Sequence, residues 1–380
     1  MTYQAPLDRN PSLEVTSHPA PQDGADGRGL RIELVRSRER FDELAPDWDA
    51  LAAHHETPLA LHGWYSAALD AQSHLPLDLA IPLVWRGERL VGAAPLMHAP
   101  HGPRRLVPID AFTGEPDRIL HADPASLPAL AVACAELREP VLLRRFSAGE
   151  HDAHAFFEAL RGRAPGMMRR LYQTSRVALP ESFEALEAAM SKSRRYAIRR
   201  KQKMIDKAGG GEVEILAPVS GEIEPLLRRF ARIENAGWKG RAGTSLVGDE
   251  TMARFVAQVA RTFARTGDTR FCFLTIGGCD AAGRILLRHR TCWCELKIGY
   301  DEEFRKCSPG IVLMHGIFRE AARHGMRSYS FLGVSEDWQN HWPHERRWDY
   351  RLATYPITLR SAGAVREDAL RAARSILRRV

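Results

Sequence analysis

The chain has 380 residues, enough for two domains of ordinary size, and its 44% hydrophobic content excludes a wholly disordered protein. It has no run of about eighteen apolar residues, so we expect no inserted membrane helix. The net charge is +7, and the segment 191–207 accounts for it with eight Lys and Arg side chains against one Asp. A basic block of this kind favours a phosphate-bearing partner.

Residues 1–29 are polar, rich in Pro, Gly and Asp, and lack the charged-then-apolar pattern of a signal sequence. We interpret them as a flexible leader of a cytoplasmic protein. The six cysteines form no CxxC pair, and reduced thiols are expected. Cys292 and Cys294 lie in a strand-like segment that lacks a zinc knuckle, so buried thiols are favoured over zinc and no metal is expected.

In the first half the apolar periodicity predicts a strand, two helices, a hairpin, a helix, a strand, a helix and a strand. In chain order these are Arg31–Val35, Arg38–Ala53, Leu61–Ala71, Leu79–Trp85 with Leu90–Met97, Leu127–Leu137, Val141–Leu143, Ala153–Leu160 and Met167–Val177.

The second half begins with a long basic helix and then follows a similar order. Its predicted helices are Phe183–Ala208, Ile223–Glu234, Glu250–Arg265, Ser308–His324 and Val365–Arg379. Its predicted strands are Val213–Leu216, Arg270–Ile276, Gly283–Arg290, Thr291–Ile298, Tyr329–Leu332, Trp348–Ala353 and Pro356–Leu359. A Gly-rich loop is expected over Gly237–Gly248.

This alternation predicts an α/β fold with mixed sheet layers, and its recurrence suggests an internal duplication. We therefore expect a leader at 1–29, an N-terminal domain at 30–179, a C-terminal domain at 180–360 and a basic helix at 361–380.

The segment Lys297–Gly310 holds the clearest functional signal. It predicts a strand that ends near Tyr300, a loop, and a helix that begins with Ser308 as N-cap and Pro309 as first helical residue. Free backbone N–H groups at a helix start bind phosphate, and the two cations before this one add charge. A plain capped helix is the alternative. The residues expected to hold a diphosphate are Arg305, Lys306, Ser308 and Gly310.

The same segment resembles a family motif. Arg305–Gly310 is similar to the acyl-CoA loop of the GNAT superfamily, with Ser308 in place of the loop's first glycine. Three further strings resemble the branch labelled CelD-like or BioF-like acetyltransferases, which is related to the Fem-type aminoacyltransferases with twin GNAT halves. These strings are Glu234–Gly240, Ser193–Lys201 and Phe331–Trp342, and the resemblance covers about Arg31 to Leu359.

The resemblance implies two tandem GNAT-like domains and transfer of an acyl group, in the first place acetyl, from an acyl-CoA thioester to an amine or hydroxyl. A cell-envelope or polysaccharide precursor, small or carrier-linked, is the acceptor it suggests. It further implies a backbone N–H on the strand Thr291–Gly299 that polarises the thioester carbonyl.

Side chains near this strand supply the candidate catalytic groups. Glu234 is the candidate base, Lys297 the candidate charge stabiliser and Tyr300 the candidate proton donor to the leaving thiolate, each with a surface or packing role as alternative. The candidates for binding the acceptor are Trp238, Lys239, Asp337, Trp338 and His341. His341 is also an alternative base, and Cys307, beside two cations, a minor candidate for a covalent route.

The basic helix leaves two other functions open. Its cations at 192, 195, 199 and 203 form one stripe, which suits coenzyme A phosphates, an anionic acceptor or RNA. One alternative is therefore Fem-like aminoacyl transfer from aminoacyl-tRNA. The other is a non-catalytic twin-GNAT module that binds an anionic polymer or carrier. The sequence does not fix the oligomeric state.

Overall fold

The computed structural model describes Val15–Thr16 and residues 29–377. The predicted leader therefore lies outside the described residues except for these two residues and Gly29, and so does the end of the basic tail, 378–380.

The helices are α1 (Arg38–Glu43), α2 (Ala45–Ala52), α3 (His62–Ala71), α4 (Ser126–Glu136), α5 (Glu150–Arg161), α6 (Phe183–Ala189), α7 (Lys192–Lys207), α8 (Ile223–Asn235), α9 (Trp238–Arg241), α10 (Glu250–Ala264), α11 (Pro309–Arg323) and α12 (Leu359–Leu377). The strands are β1 (Val15–Thr16), β2 (Leu30–Val35), β3 (Ile81–Arg86), β4 (Arg89–Ala93), β5 (Leu96–His98), β6 (Leu106–Pro108), β7 (Leu120–His121), β8 (Val141–Phe146), β9 (Gly166–Ala178), β10 (Gly211–Leu216), β11 (Thr269–Ile276), β12 (Cys279–His289), β13 (Cys292–Tyr300), β14 (Ser328–Val334) and β15 (Glu345–Thr354).

Within the described residues these strands form two sheets, a five-stranded one in the order β1-β2-β3-β4-β7 and a ten-stranded one in the order β10-β11-β12-β13-β14-β9-β15-β8-β6-β5. Helices pack against both. The mixed α/β class predicted from the sequence is confirmed.

The two halves of the chain exchange their last strands. β9 of the first half pairs antiparallel with β14 of the second, while β15 of the second half pairs antiparallel with β8 of the first. β9 and β15 also pair with each other along their whole lengths. The predicted boundary between residues 179 and 180 stays a prediction, since both halves contribute strands to one sheet.

The two halves also share a core. One cluster of buried side chains takes members from both, among them Trp48 and Trp64 from the first half and Phe255 from the second. α3 and α10 cross there, with the rings of Trp64 and Phe255 edge to face at 4.9 Å. A β-carbon at Gly63 would lie 2.7 Å from Cγ2 of Thr262, so the absence of a side chain permits this close crossing.

The structure corrects five predicted elements. The helix expected over Arg38–Ala53 is α1 and α2, and the strand expected over Leu90–Met97 is β4 and β5, which lie in different sheets. The helix expected over 183–208 is two helices, because Ser191 is extended and its hydroxyl caps α7 by accepting the N–H of Arg194. The extended segment expected at Pro356–Leu359 is wrong at its end, since α12 begins at Leu359 and not at Val365. The Gly-rich loop contains the short helix α9.

No helix in the described part of the chain is long and apolar enough to cross a membrane.

Candidate active site

A cleft of about 180 Å³ opens where β13 and β14 separate. The two parallel strands are paired over Cys292–Cys294 and Ser328–Ser330. Past these residues they diverge, with Glu295–Ile298 on one wall and Phe331–Val334 on the other. Leu332 has a φ of 52°, a left-handed conformation that bends β14 away from its neighbour. The cleft therefore forms where the pairing between β13 and β14 ends.

β13 carries a bulge at this wall. Leu286 of β12 lies opposite Glu295 and Ile285 lies opposite Lys297, so Leu296 has no counterpart on β12. The extra residue of a bulge stays outside the regular ladder. Because Leu296 lines the cleft, its peptide group is well placed to donate a hydrogen bond to an oxyanion that forms there.

Two lysines line the cleft in different states. Nζ of Lys239 donates to Oε1 of Glu234 at 2.9 Å and to the carbonyl of Ile298 at 2.8 Å. Lys297 has no such hydrogen-bonded partner among the described residues, and burial lowers its pKa, with Glu115 the strongest opposing charge. Of these two lysines, Lys297 is therefore the one whose ammonium is available to bind a ligand.

Glu234 lies behind the cleft wall. It is 2% exposed, and its Oε2 accepts the backbone N–H of Leu246 at 2.8 Å while Oε1 holds Lys239. A β-carbon at Gly299 would lie 2.8 Å from Cα of Glu234, so α8 approaches β13 very closely here. The carboxylate ties α8, α9 and β13 together and does not line the cleft.

A carboxylate from the first half of the chain enters the same cleft. Glu115 lies in the loop between β6 and β7, beside Gly114, whose φ is 71°. Arg145 fixes this loop by donating to the carbonyl of Gly114 at 2.6 Å. Oε2 of Glu115 is buried without a hydrogen-bond partner among the described residues. Burial raises the pKa of Glu115, and Lys297 opposes this rise. No local pattern in the sequence points to this residue.

A buried network joins the cleft to the start of α11. The guanidinium of Arg284 forms an ion pair with Glu295, which also accepts the hydroxyl of Tyr329 at 2.6 Å. Arg284 also donates to the carbonyl of Gly310 at 3.3 Å and lies 5.2 Å from the ring centre of Trp338. Burial lowers the pKa of Arg284.

The start of α11 differs from the expectation in one respect. Pro309 is the first helical residue, as predicted, but Ser308 has φ 50° and ψ 56° and its side chain makes no capping hydrogen bond. The left-handed backbone explains why the related motif has a glycine at this position. Arg305 and Lys306 are exposed just before it, and Gly310 is partly exposed.

The basic helix α7 packs beside this helix start. Nζ of Lys201 donates to the carbonyl of Lys306 at 2.5 Å. The predicted stripe changes in one member, because Arg195 turns inward to the carbonyls of Glu187 and Ala188. The exposed face contains Lys192, Tyr196, Arg199, Arg200, Lys203 and Lys207.

The remaining predicted residues lie at different distances from the cleft. Trp338 lines it, whereas Asp337 is exposed and Nδ1 of His341 donates to the Trp338 carbonyl at 2.9 Å. Tyr300 is partly buried and packs against a second cluster of buried side chains, which includes Phe318 and Tyr329, and Trp238 is 52% exposed. Cys307 is buried, which disfavours a reactive thiolate.

Comparison with known families decides the class of this site. Residues 192–340 match the family model described as an acetyltransferase (GNAT) domain. Residues 192–340 form a GNAT domain. The match includes the cleft walls, the bulged strand β13 and the start of α11. It supports acyl transfer in general terms and confirms the predicted superfamily.

Solved structures are similar to nearly the whole chain. FemX is similar with 12% identity and a TM-score of 0.56, covering 82% of this chain and 96% of that one. The C-terminal domain of an Agrobacterium fabrum protein named for lysylphosphatidylglycerol synthetase is similar with 9% identity and a TM-score of 0.54, covering 87% and 96%. No curated protein matches the sequence. At these identities the similarity shows the fold alone, a mixed α/β structure shared over most of the chain.

The GNAT domain thus brings together Lys239, Lys297 and Trp338 from the predicted set. The cleft adds polar side chains that sequence reasoning did not single out, namely Glu115, Glu295, Glu336 and Gln339. Within the described residues, no group of three or more His, Cys, Asp or Glu side chains could hold a metal ion.

Proposed function

We propose that the GNAT domain transfers an acyl group, in the first place acetyl, from a coenzyme A thioester to an amine or hydroxyl acceptor. The observation that carries this proposal is the adjacency of two features. The start of α11, flanked by Arg305 and Lys306, is joined through Arg284 to a cleft whose wall has a bulge at Leu296.

In this proposal the donor's diphosphate lies at the start of α11. The backbone N–H of Gly310 and the cations Arg305, Lys306 and Lys201 lie around that position, since Pro309 has no N–H and those of Ile311 and Val312 donate to the carbonyl of Ser308. Ser308 and Gly310 keep the backbone open to a bound group, since neither places a large side chain there.

The thioester carbonyl then lies in the cleft between β13 and β14. As the tetrahedral intermediate forms, the peptide N–H at Leu296 and the ammonium of Lys297 stabilise the negative oxygen. Tyr300 stays our candidate for the proton donor to the departing thiolate. Glu234 stays a prediction as the base, although its carboxylate is already bonded to Lys239 and Leu246.

The acceptor is proposed to enter beside Lys239 and Trp338, with Asp337, His341 and Trp238 at the rim. Lys239 is held by Glu234 and the Ile298 carbonyl, so it forms a fixed wall with one remaining N–H. The indole of Trp338 lies over Arg284 and supplies an apolar surface.

Calorimetric titration with coenzyme A and acetyl-CoA tests the donor site. Arg305→Ala should weaken binding about tenfold, because a charge-assisted contact with phosphate is lost. Gly310→Trp should abolish it by filling the helix start, where a β-carbon at Gly310 would have Nη2 of Arg284 as its nearest neighbour, 3.9 Å away.

Arg323→Ala is the matched control, since Arg323 is an exposed arginine at the other end of α11. It should bind coenzyme A as the unaltered chain does. Equal binding by all four proteins would contradict the proposed donor site, and unchanged melting temperatures would show that the variants fold.

A second candidate function is aminoacyl transfer from aminoacyl-tRNA. The exposed face of α7 favours it, since Lys192, Arg199 and Arg200 lie about one turn from Tyr196, which is 69% exposed and available to stack on a base. Binding of tRNA with steep salt dependence, lost in Arg199→Ala with Lys203→Ala, would support this donor over coenzyme A. If the chain binds neither tRNA nor coenzyme A, the non-catalytic module is favoured.

A further inference from the structure

The cleft contains two buried polar atoms without a partner among the described residues. Oε2 of Glu115 is one of them, and Oε1 of Gln339 is the other. The amide of Gln339 is oriented by its Nε2, which donates to the carbonyl of Val334 at 3.4 Å. Both atoms left over are therefore hydrogen-bond acceptors, and both residues line the cleft.

Buried acceptors without a donor are costly, and a ligand that brings donors removes the cost. A hydroxyl supplies one donor, whereas a primary ammonium supplies three together with a positive charge. Lys297 does not fill this role, since it forms no hydrogen bond with Glu115 and faces it only through space. The pair of acceptors is matched best by an ammonium.

The backbone holds Glu115 firmly in this position. Its N–H donates to the hydroxyl of Thr113 at 3.1 Å. Two residues later, Asp117 accepts the backbone N–H of Arg145 at 2.8 Å, and Arg145 donates to the carbonyl of Gly114. A carboxylate fixed in this way loses little freedom when a ligand binds.

Resting on the proposed acyl transfer, we propose that the acceptor is a primary amine and that Glu115, from the N-terminal half, binds its ammonium and takes its proton. Gln339 accepts a second N–H of the same group. Glu115 is thus a catalytic residue, and the N-terminal half completes a site whose donor part lies in the C-terminal half.

The proposed step conserves atoms and charge. The carboxylate of Glu115 takes one proton from the ammonium, and the nitrogen lone pair attacks the thioester carbon, forming the C–N bond. The oxyanion at Leu296 and Lys297 collapses, and the C–S bond breaks. A second proton from nitrogen ends on the sulfur, and Glu115 later releases its proton to solvent. An ammonium and a thioester become an amide, a thiol and one proton.

Three coenzyme A thioethers of equal length test this assignment, because each carries its terminal group beyond the sulfur into the cleft. The groups on sulfur are 2-aminoethyl, 2-hydroxyethyl and propyl. Calorimetry at pH 7.5 should show the aminoethyl compound binding roughly ten- to a hundredfold more tightly than the propyl compound. Glu115→Gln should remove this preference, and Glu115→Asp should keep part of it.

Glu336→Gln is the control, because Glu336 lines the same cleft but is exposed and accepts Nε1 of Trp338 at 2.5 Å. It should keep the preference. Loss of preference there, and not in Glu115→Gln, would overturn the assignment, as would equal binding of the three compounds by the unaltered chain. Failure of all three to bind would instead contradict the proposed donor site.

The preference should also weaken as the pH falls and Glu115 gains a proton. The charged groups that face it are Lys297 of β13, Lys239 of α9, Arg145 of β8 and Asp349 of β15. A preference that stays constant down to pH 4.5 would contradict the role of this carboxylate.

Discussion

The two halves treat the start of an equivalent helix in opposite ways. In the first half, the carboxylate of Asp123 accepts the N–H of Ser126 at 3.0 Å at the start of α4, and Arg86 pairs with it at 3.0 Å. In the second half, α11 begins without a side-chain cap, and the flanking side chains are cations. The chain itself supplies the anion in one half, and we propose that the donor's diphosphate takes that place in the other.

The spaces between neighbouring parallel segments also differ between the two halves, one being filled and the other open. In the first half, Asp117 and Phe146 form a parallel bridge, and the space beside it holds Arg145, which pairs with the buried Asp349 at 2.9 Å. In the second half, β13 and β14 diverge and leave an open cleft. Two halves of similar order thus differ at this gap, which an ion pair fills in one half and which stays open as a cleft in the other.

The largest expected effect contrasts two carboxylates, one from each half. Glu234→Gln should lower the free energy of unfolding by about 3 kcal/mol, because it leaves Lys239 without its buried partner. Glu115→Gln should leave stability unchanged or raise it, since Oε2 has no partner to lose among the described residues. Urea unfolding at pH 7.5 measures both, and equal losses would contradict the contrast.

The second prediction compares the two helix starts. Arg305→Ala with Lys306→Ala should weaken coenzyme A binding between about tenfold and a hundredfold. Arg86 of β3 pairs with Asp123 at the start of α4. Arg86→Ala should change coenzyme A binding by less than about twofold, because Asp123 already occupies the start of that helix. Calorimetry decides, and a similar loss in both variants would break the comparison.

The third prediction concerns the filled gap of the first half. Burial raises the pKa of Asp117 to about 7, so the folded state keeps a proton that the unfolded state loses near pH 4. Stability should therefore fall as the pH rises from 4 to 7, by about 1.4 kcal/mol per pH unit from this group. Asp117→Asn should remove that slope in urea unfolding measured across this range. An unchanged slope would show that Asp117 ionises normally.

The smallest effect is expected at Ser308. Glycine tolerates its left-handed backbone better than serine but is freer in the unfolded chain, so Ser308→Gly should raise stability by no more than about 1 kcal/mol. Coenzyme A binding should not change. A clear loss of binding would show that the hydroxyl contacts the ligand, and thermal unfolding with calorimetry measures both effects.

Sequence reasoning reached the features that are local in the chain. Helix α11, strand β13 and the grouping of Lys239 with Lys297 followed from periodicity, turn residues and a family motif. Glu115 was missed because it arrives from a loop some 180 residues before Lys297, and no local pattern encodes such a contact. Ser191 was passed over as a cap because the apolar period continues across it.

The exchanged strands have a consequence for synthesis on the ribosome. β8 and β9 are complete when residue 178 emerges, but their partner β15 ends at Thr354. At about 5–20 residues per second, the first half waits roughly ten to thirty seconds for that strand. During this interval β8 and β9 present unpaired edges that invite pairing with other nascent chains. We therefore expect incomplete chains to associate through these edges more readily than complete ones.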